Sequence, residues 1–293
     1  MVISSVDQLA GKGLESFMPA EDAKKFLLCP PEYFKVIDQK NPHMKDQEGK
    51  VNYDLAQQQW KKVKKAFAQS YEVFTVPATE SLEDMVFSAN PVFVGKDSEG
   101  EKICVLANMV HPSRRKEVAA FQEWFEQQGY RMCHIPDGQF FEGYGDALWH
   151  PGRRLIWAGH GFRSDSKVYD QLGQIFDSDV VSLKLQHEYF YHLDTCLSPI
   201  SQSVALYFPG AFDRAGQDLI QTLFSDAIEV PEQEALYGFA CNSFGIDQKV
   251  FIHQGNTHSC KELEKRGYEV IELDTSEFIK SGGSVSCMKA MVF

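Results

Sequence analysis

Three residues that are far apart in the chain have side chains that could act together as a nucleophile and its proton carrier. Cys287 follows Gly282 and Gly283, where a permissive backbone and small side chains leave room for a ligand. A thiol becomes a good nucleophile when a nearby cation or base favours its thiolate. His192 titrates near neutral pH and could be that partner, and Glu142 could orient its imidazole as the third member of a triad.

Two more acidic residues, Asp84 and Asp194, indicate what this site would bind. Acidic side chains gathered beside one site repel one another unless a cation joins them. A guanidinium group suits such a site because it is planar and offers N–H donors that carboxylates grip in forked pairs. The acids therefore predict a guanidinium-type ligand that Asp84 and Asp194 clamp.

Each of these residues also has a purely structural interpretation. A cysteine near a C-terminus is more often inert packing, and a histidine beside apolar residues is usually a satisfied core residue. Asp84 could cap a strand or a turn, and Gly283 could mark only a tight turn. The functional hypothesis depends on all the signals occurring together at matching places in the chain.

Those matching places follow from a weak internal repeat. Strand-like runs begin at Tyr71, Tyr130, Asp179, Asp226 and Tyr268. Each run follows a stretch with helical spacing of apolar residues, clearest at 53–67, 118–125 and 168–175 and weaker at 219–224 and 260–263. Gly129 and Gly267 stand where a helix end favours a left-handed residue.

Two further strands are predicted before each helix, for example at 85–95 and 101–110, and at 147–152 and 153–161. The unit is thus strand, strand, helix, strand, used five times. One such unit cannot bury its own faces, but several units that close into a ring can. The sequence predicts a single α/β domain over residues 26–293, preceded by an N-terminal tail or extension over residues 1–25.

The repeat also predicts where the polar residues lie. Asp84, Glu142 and His192 follow the starts of their strand runs at nearly equal distances, and Cys287 follows the last run. Equivalent positions in a closed ring converge on its centre. We therefore expect these side chains to meet.

At this point the sequence resembles the guanidino-group-modifying enzymes of the pentein fold. The resemblance runs from about Cys29 to the C-terminus. It rests on four stretches, in this order: EDMVF with Asp84, EGYGD with Glu142, HLDT with His192 and Asp194, and SGGSVSC with Cys287. It implies a five-bladed α/β propeller.

The resemblance also assigns further pocket residues. CPPEYFKVIDQKNPHM is similar to the opening of the arginine dihydrolase branch and puts Asn41 in the pocket. DMVFSAN puts Asn90 beside the nucleophile, and GHGFRSD puts Arg163 on a substrate carboxylate. The structural alternatives are a salt bridge for Arg163 and turn or strand-end hydrogen bonds for the two asparagines. Ser286 and Ser164 depart from the family pattern, which often has a basic residue and a threonine there.

The resemblance and the chemistry together imply a two-step reaction. Cys287 adds to the guanidinium carbon, His192, kept protonated by Glu142, protonates the departing amine, and water then hydrolyses the thiouronium adduct. One round on arginine yields citrulline and ammonia. A second round yields ornithine, carbon dioxide and further ammonia. An amide at Asn90 can both donate to and accept from a neutral urea, which favours the dihydrolase.

Other functions remain open at this point. A dimethylarginine hydrolase is disfavoured because that branch generally lacks the acid at Asp194, and an amidinotransferase would pass the adduct to an amine. A non-catalytic pentein-fold binding protein would require a broken triad. The sequence implies neither a metal nor an organic cofactor.

Composition narrows the class of partner. The 293 residues are 43% hydrophobic and 24% charged, and the net charge of −12 disfavours nucleic acid as a partner. No stretch is long and apolar enough for a membrane span, and the start resembles no signal peptide. Seven scattered cysteines without CxxC pairs suggest a reducing, cytoplasmic location. The predicted partner is a small guanidino substrate, and the oligomeric state is left open.

Overall fold

The structure is a computed structural model that describes all 293 residues. Its strands are β1 Val2–Ile3, β2 Lys25–Leu28, β3 Glu72–Thr75, β4 Val92–Lys96, β5 Lys102–Leu106, β6 Arg131–His134, β7 Ala147–Trp149, β8 Leu155–His160, β9 Asp179–Lys184, β10 Leu197–Pro199, β11 Val204–Tyr207, β12 Asp226–Glu229, β13 Phe244–Ile246, β14 Lys249–His253, β15 Glu269–Leu273 and β16 Ala290–Val292. Its helices are α1 Tyr53–Ala68, α2 Pro112–Arg115, α3 Val118–Gln127, α4 Val168–Ile175, α5 Arg214–Leu223, α6 Glu232–Leu236, α7 Thr257–Lys265 and α8 Ser276–Ile279.

The strands form five small sheets, and each sheet repeats one pattern. Two antiparallel strands are followed by a helix and a third strand, which pairs parallel to the second. The last strand of the chain, β16, pairs with β2 and so completes the first unit from the opposite end of the sequence. The predicted α/β fold with five ββαβ units is confirmed.

The helices form where the apolar periodicity predicts them. In α1 the residues Ala56, Trp60, Val63 and Phe67 are buried on one face, and the Asn52 side chain caps the first turn by accepting from the Leu55 N–H. Gly129 and Gly267 have φ angles of 77° and 84°, so both end their helices in the left-handed conformation.

One predicted strand is shorter than expected. Of residues 85–95, only those from Val92 onwards form β4, and the residues before it turn. The Ala89 N–H donates to the carbonyl of Cys287 at 3.1 Å, so these residues pair with the C-terminal loop rather than with a sheet neighbour. The apolar run at 85–90 is therefore core-facing turn, which periodicity alone does not distinguish from strand.

The first 25 residues pack against the rest of the molecule. Strand β1 adds to β9 in parallel, and Ile3, Leu9 and Phe17 are buried in the same apolar cluster as Trp157. The predicted boundary at residue 25 remains a prediction, but residues 1–25 are a packed extension and not a free tail. No helix in the molecule is both long enough and apolar enough to cross a bilayer.

Candidate active site

The loops that follow the third strands of the units meet around Cys287. They include two short 3₁₀ turns, Gly143–Gly145 and Leu193–Thr195, which directly follow Glu142 and His192. A small cavity opens there, lined by Lys40, Asn41, Met44, Asp84, Phe87, Asn90, Arg114, Arg163, Tyr191, Ser281, Gly283 and Cys287. The convergence predicted from the repeat is therefore present, because equivalent loops of the five units are brought together.

The Cys287 thiol lies between a carboxylate and an amide. Its Sγ is 3.1 Å from Asp194 Oδ2 and 3.1 Å from Asn242 Nδ2. Burial and the neighbouring charge of Asp194 raise the pKa of the Cys287 thiol well above its usual value. Burial likewise raises the pKa of Asp194 to about 7. Without a bound cation the thiol is therefore protonated and donates to Asp194.

His192 and Glu142 form a direct pair. The imidazole Nε2 is 2.7 Å from Glu142 Oε2, and the Arg163 Nη1 donates to the same oxygen at 3.0 Å. Burial would raise the pKa of Glu142, but Arg163 and His192 outweigh it and hold that pKa well below its usual range. Glu142 is therefore a permanent carboxylate that fixes the orientation of the His192 ring.

The expectation that Glu142 keeps His192 protonated is not met in the unliganded site. Burial lowers the pKa of His192 to about 4, and the positive charges of Arg163 and Arg114 act in the same direction, so the hydrogen bond and the charge of Glu142 do not compensate. His192 is thus neutral and can accept a proton from Cys287 or from water.

The other predicted acid, Asp84, is held by a lysine. Lys40 Nζ lies 3.2 Å from Asp84 Oδ2, and the Ser281 hydroxyl donates to Asp84 Oδ1 at 3.2 Å. Asn90 lines the same cavity as Asp84, and its Oδ1 accepts from Arg114 Nη1 at 2.9 Å.

Three of the predicted residues carry buried polar atoms that have no hydrogen-bond partner. They are Asn90 Nδ2, a donor, and two acceptors, Asp194 Oδ1 and Asp84 Oδ2, of which Asp84 Oδ2 still forms an ion pair with Lys40. Buried polar groups are paired in most folded proteins, so the unpaired atoms of Asn90 and Asp84, which line the cavity, and of Asp194, which contacts Cys287, point to a ligand.

Asn41 and Arg163 do not have free groups of this kind. The Asn41 side chain accepts from the His43 N–H and donates to the Ser281 carbonyl, both at 3.0 Å, which is the structural alternative for this residue. Arg163 is engaged by Glu142 and by the carbonyl of Lys40, and its guanidinium lies 4.7 Å from the centre of the Tyr191 ring.

Sequence reasoning missed Asn242, Lys40 and Arg114. Asn242 accepts from the Ser284 N–H and donates to the Asp194 carbonyl, both at 2.9 Å, so it positions both sides of the nucleophile. It occupies, in the fourth unit, the loop that carries catalytic candidates in the other units, and that position was the available signal. No signal in the sequence indicated Lys40 or Arg114, because their contacts with Asp84 join residues that are far apart in the chain.

The molecule contains no cluster of three or more His, Cys, Asp or Glu side chains arranged to hold a metal ion. A larger cavity, about 320 Å³, shares no lining residue with this site, although it includes Ser286 and Lys289 on either side of the nucleophile. The smaller site is the one that contains the reactive groups.

Five ββαβ units with a buried thiol, a carboxylate beside it and a His–Glu pair at their meeting point place the protein in the class of α/β proteins with the pentein fold. Comparison with known proteins supports this class. The family model described as N,N dimethylarginine dimethylhydrolase, eukaryotic, matches residues 30–293. The chain therefore belongs to this family, and the resemblance inferred from the sequence is confirmed.

Two relatives with named activities are similar to this chain over most of its length. The bifunctional arginine dihydrolase/ornithine cyclodeaminase AgrE of a Nostoc species is 35% identical over 270 residues, covering 92% of this chain and 38% of that protein. The N(G),N(G)-dimethylarginine dimethylaminohydrolase of Mycobacterium tuberculosis is 32% identical, covering 90% of this chain and 84% of that protein. The chain thus spans less than half the length of the bifunctional relative.

A solved structure is similar to this chain in both fold and sequence. The N-terminal domain of ArgZ, an arginine dihydrolase from the ornithine-ammonia cycle in cyanobacteria, was crystallised as a mutant bound to its substrate. It superposes with a TM-score of 0.87 at 33% identity, covering 92% of this chain and 98% of that one.

Proposed function

We propose that this protein hydrolyses the guanidinium group of L-arginine through a covalent thiouronium adduct on Cys287, as an arginine dihydrolase. The observation that carries the proposal is the pairing of Cys287 Sγ with Asp194, whose second oxygen is buried and unpaired. A guanidinium that donates to this oxygen would lie directly beside the nucleophile. The arginine dihydrolase relatives support this substrate.

Substrate binding would also activate the thiol. The positive charge of the guanidinium between Asp84 and Asp194 opposes the burial and the negative charge that raise the pKa of Cys287. The thiol proton then passes to the neutral His192, and the thiolate adds to the guanidinium carbon. His192 delivers that proton to the departing nitrogen, which leaves as ammonia.

His192 next takes a proton from water, and the resulting hydroxide attacks the adduct and releases Cys287. This round consumes one water and forms citrulline. In a second round the neutral ureido group needs both a donor and an acceptor, and the unpaired Asn90 Nδ2 supplies the donor. A second ammonia leaves as Cys287 adds to the ureido carbon, and a second water hydrolyses the resulting adduct, so the products are ornithine, carbon dioxide and ammonia. A deiminase would stop after the first round.

A dimethylarginine hydrolase is the second candidate, because the family model and the mycobacterial relative carry that name. Asp194 beside the thiol favours arginine, since a carboxylate suits N–H donors and not methyl groups.

The test is product analysis after incubation with L-arginine and, separately, with dimethylarginine. We expect ornithine and ammonia from arginine, and no product from Cys287→Ala. Cys133→Ala is the matched control, because Cys133 is the one cysteine that is not fully buried and lies on β6, away from the site lining. Citrulline alone would make the protein a deiminase, and turnover of dimethylarginine alone would establish the second candidate. The absence of any turnover would contradict the proposal.

A further inference from the structure

Lys40 is a buried cation within the candidate active site. It lies in the segment between β2 and α1, whose only regular element is the 3₁₀ turn Pro42–Met44. Its side chain is 3% exposed, with Nζ 2.9 Å from Glu83 Oε1 and 3.2 Å from Asp84 Oδ2, and it also contacts Asp38. Burial disfavours its charge, but Asp84, Asp38 and Glu83 outweigh burial and raise the pKa of Lys40, so the ammonium is permanent.

The main-chain carbonyl of Lys40 makes a second contact with a residue of the candidate site. The Lys40 carbonyl accepts from Arg163 Nη2 at 2.6 Å. Asp84 is the carboxylate that the proposed function assigns to the guanidinium, and Arg163 is the arginine assigned to the substrate carboxylate. One lysine therefore contacts both ends of the site, because its ammonium forms an ion pair with Asp84 and its carbonyl accepts from Arg163.

The free volume that remains is too small for an amino acid. The cavity lined by Lys40, Asp84 and Cys287 holds about 20 Å³, which is room for about one water molecule. The backbone around Lys40 is anchored on both sides of the cavity, since Asn41 donates to the Ser281 carbonyl and the His43 ring contacts the Tyr189 carbonyl, each at 3.0 Å. The flexible four-carbon stem of lysine is the part that can leave.

We propose that Lys40 is a tethered competitor of the substrate, which holds the guanidinium and carboxylate contacts until a substrate with the same charges displaces it. The proposal rests on the proposed function for the roles of Asp84 and Arg163. Displacement exchanges one cation for another at Asp84, so cationic guanidino compounds can displace Lys40. A neutral ureido compound that arrives from solution cannot replace its charge, whereas the ureido group of the second round forms inside the site after Lys40 has been displaced. Lys40 thereby weakens the affinity for arginine and contributes to the choice of substrate.

The first test measures the exposure of Lys40 in a protein in which every lysine is unchanged. Cys287→Ser protein is acetylated briefly with acetic anhydride, with and without saturating L-arginine, and the modified lysines are quantified by mass spectrometry. We expect acetylation of Lys40 to rise at least several-fold with arginine, while the exposed Lys24, which pairs with Asp247, does not change. Lys40 that stays protected in the arginine complex would overturn the proposal.

The second test measures affinity by calorimetry in the Cys287→Ser background. Lys40→Met should bind arginine about tenfold more tightly, because a competing cation beside a buried carboxylate is removed. Lys40→Arg keeps the charge and should not bind more tightly, and Lys24→Met is the surface control. Equal or weaker binding by a folded Lys40→Met protein would contradict the tethered competitor.

Guanidinium chloride at low millimolar concentration serves as a third probe and separates this proposal from the proposed function. If guanidinium exposes Lys40 while wild-type protein turns over no guanidino compound, the competitor stands and the hydrolase proposal fails. If wild-type protein converts arginine but neither arginine nor guanidinium exposes Lys40, the hydrolase stands and the competitor fails.

Discussion

Asp194 is the residue in which the demands of binding and of stability are most directly opposed. It is 1% exposed, pairs with the Cys287 thiol, and leaves one oxygen without a partner. Lys289, whose charge favours the ionised form of Asp194, is itself buried, and burial lowers the pKa of Lys289 to about 8. A carboxylate in this position is suited to a cationic ligand, but in the free protein it has to bind a proton.

This conflict predicts that the effect of Asp194 on the free energy of unfolding depends on pH. The folded pKa of Asp194, about 7, lies above its ordinary value of 3.8, so between these values the folded state binds a proton that the unfolded state lacks. The contribution of Asp194 to stability therefore falls as pH rises from about 4 to about 7. Asp194→Asn should be more stable than wild type by about 1–3 kcal/mol at pH 8, with a difference that shrinks towards pH 5.

Urea unfolding at both pH values checks this prediction, with the exposed Asp137→Asn as control. A stability difference that does not depend on pH would show that Asp194 is ionised in the folded protein. Arginine hydrolysis by Asp194→Asn should fall sharply, because the unpaired acceptor loses its charge.

At the scale of elements, the turn from Glu142 to Asp146 shows how backbone geometry places a catalytic candidate. Gly143 has a φ angle of 55°, and a Cβ there would lie 2.5 Å from the carbonyl oxygens of Asn90 and Val92. The turn is therefore packed directly against the main chain before β4. The Ser164 hydroxyl also holds the end of this turn in place, since it donates to Asp146 Oδ2 at 2.6 Å.

We predict that Gly143→Ala lowers the free energy of unfolding by about 2–4 kcal/mol, because neither the positive φ nor the contact with backbone oxygens can relax cheaply. It should also lower kcat/KM for arginine more than tenfold, since Glu142 is displaced from His192. Gly129→Ala is the matched control. Gly129 also has a positive φ, but no atom lies within 4 Å of its Cβ position.

Gly129→Ala should cost about 1 kcal/mol and leave kcat/KM unchanged. Thermal unfolding and steady-state kinetics on both variants distinguish the two effects. Similar kinetics for the two variants would mean that the Glu142 turn tolerates displacement.

At the scale of the whole molecule, both chain ends take part in sheets. Strand β16 pairs with β2 and keeps Cys287, three residues before it, next to the loop that carries Asp84. Strand β1 extends the sheet of β7, β8 and β9, and Ile3 is fully buried there. The packing of residues 1–25 is thus part of the stability of the fold.

Ile3→Ala should therefore lower the free energy of unfolding by about 2–4 kcal/mol through loss of buried volume. Val6→Ala, at a residue that is 36% exposed, is the control and should change stability by less than about 1 kcal/mol. Equal effects of the two substitutions in urea unfolding would mean that the extension does not pack as the structure describes. The KM for arginine should be unaffected in both variants.

The sequence by itself predicted the repeat, the five helices between paired strands and a set of candidate site residues. Apolar spacing of three to four residues reports helical structure directly, and the nearly equal placement of Asp84, Glu142 and His192 after their strands predicted that these residues and Cys287 converge. In the structure Asp84 and Cys287 line one cavity, and His192 pairs with Glu142. The family resemblance added Asn41, Asn90 and Arg163, and of these Asn90 has an unpaired buried atom in the structure.

The tertiary structure alone decided the electrostatic state of the site. The protonation of Cys287 and His192 follows from burial and from charges contributed by distant segments, and no local pattern encodes either. Lys40 reaches the site from a loop and Arg114 from the four-residue helix α2, and neither segment carries a periodic signal. Only the folded chain therefore shows that Lys40 contacts the residues proposed to bind the substrate.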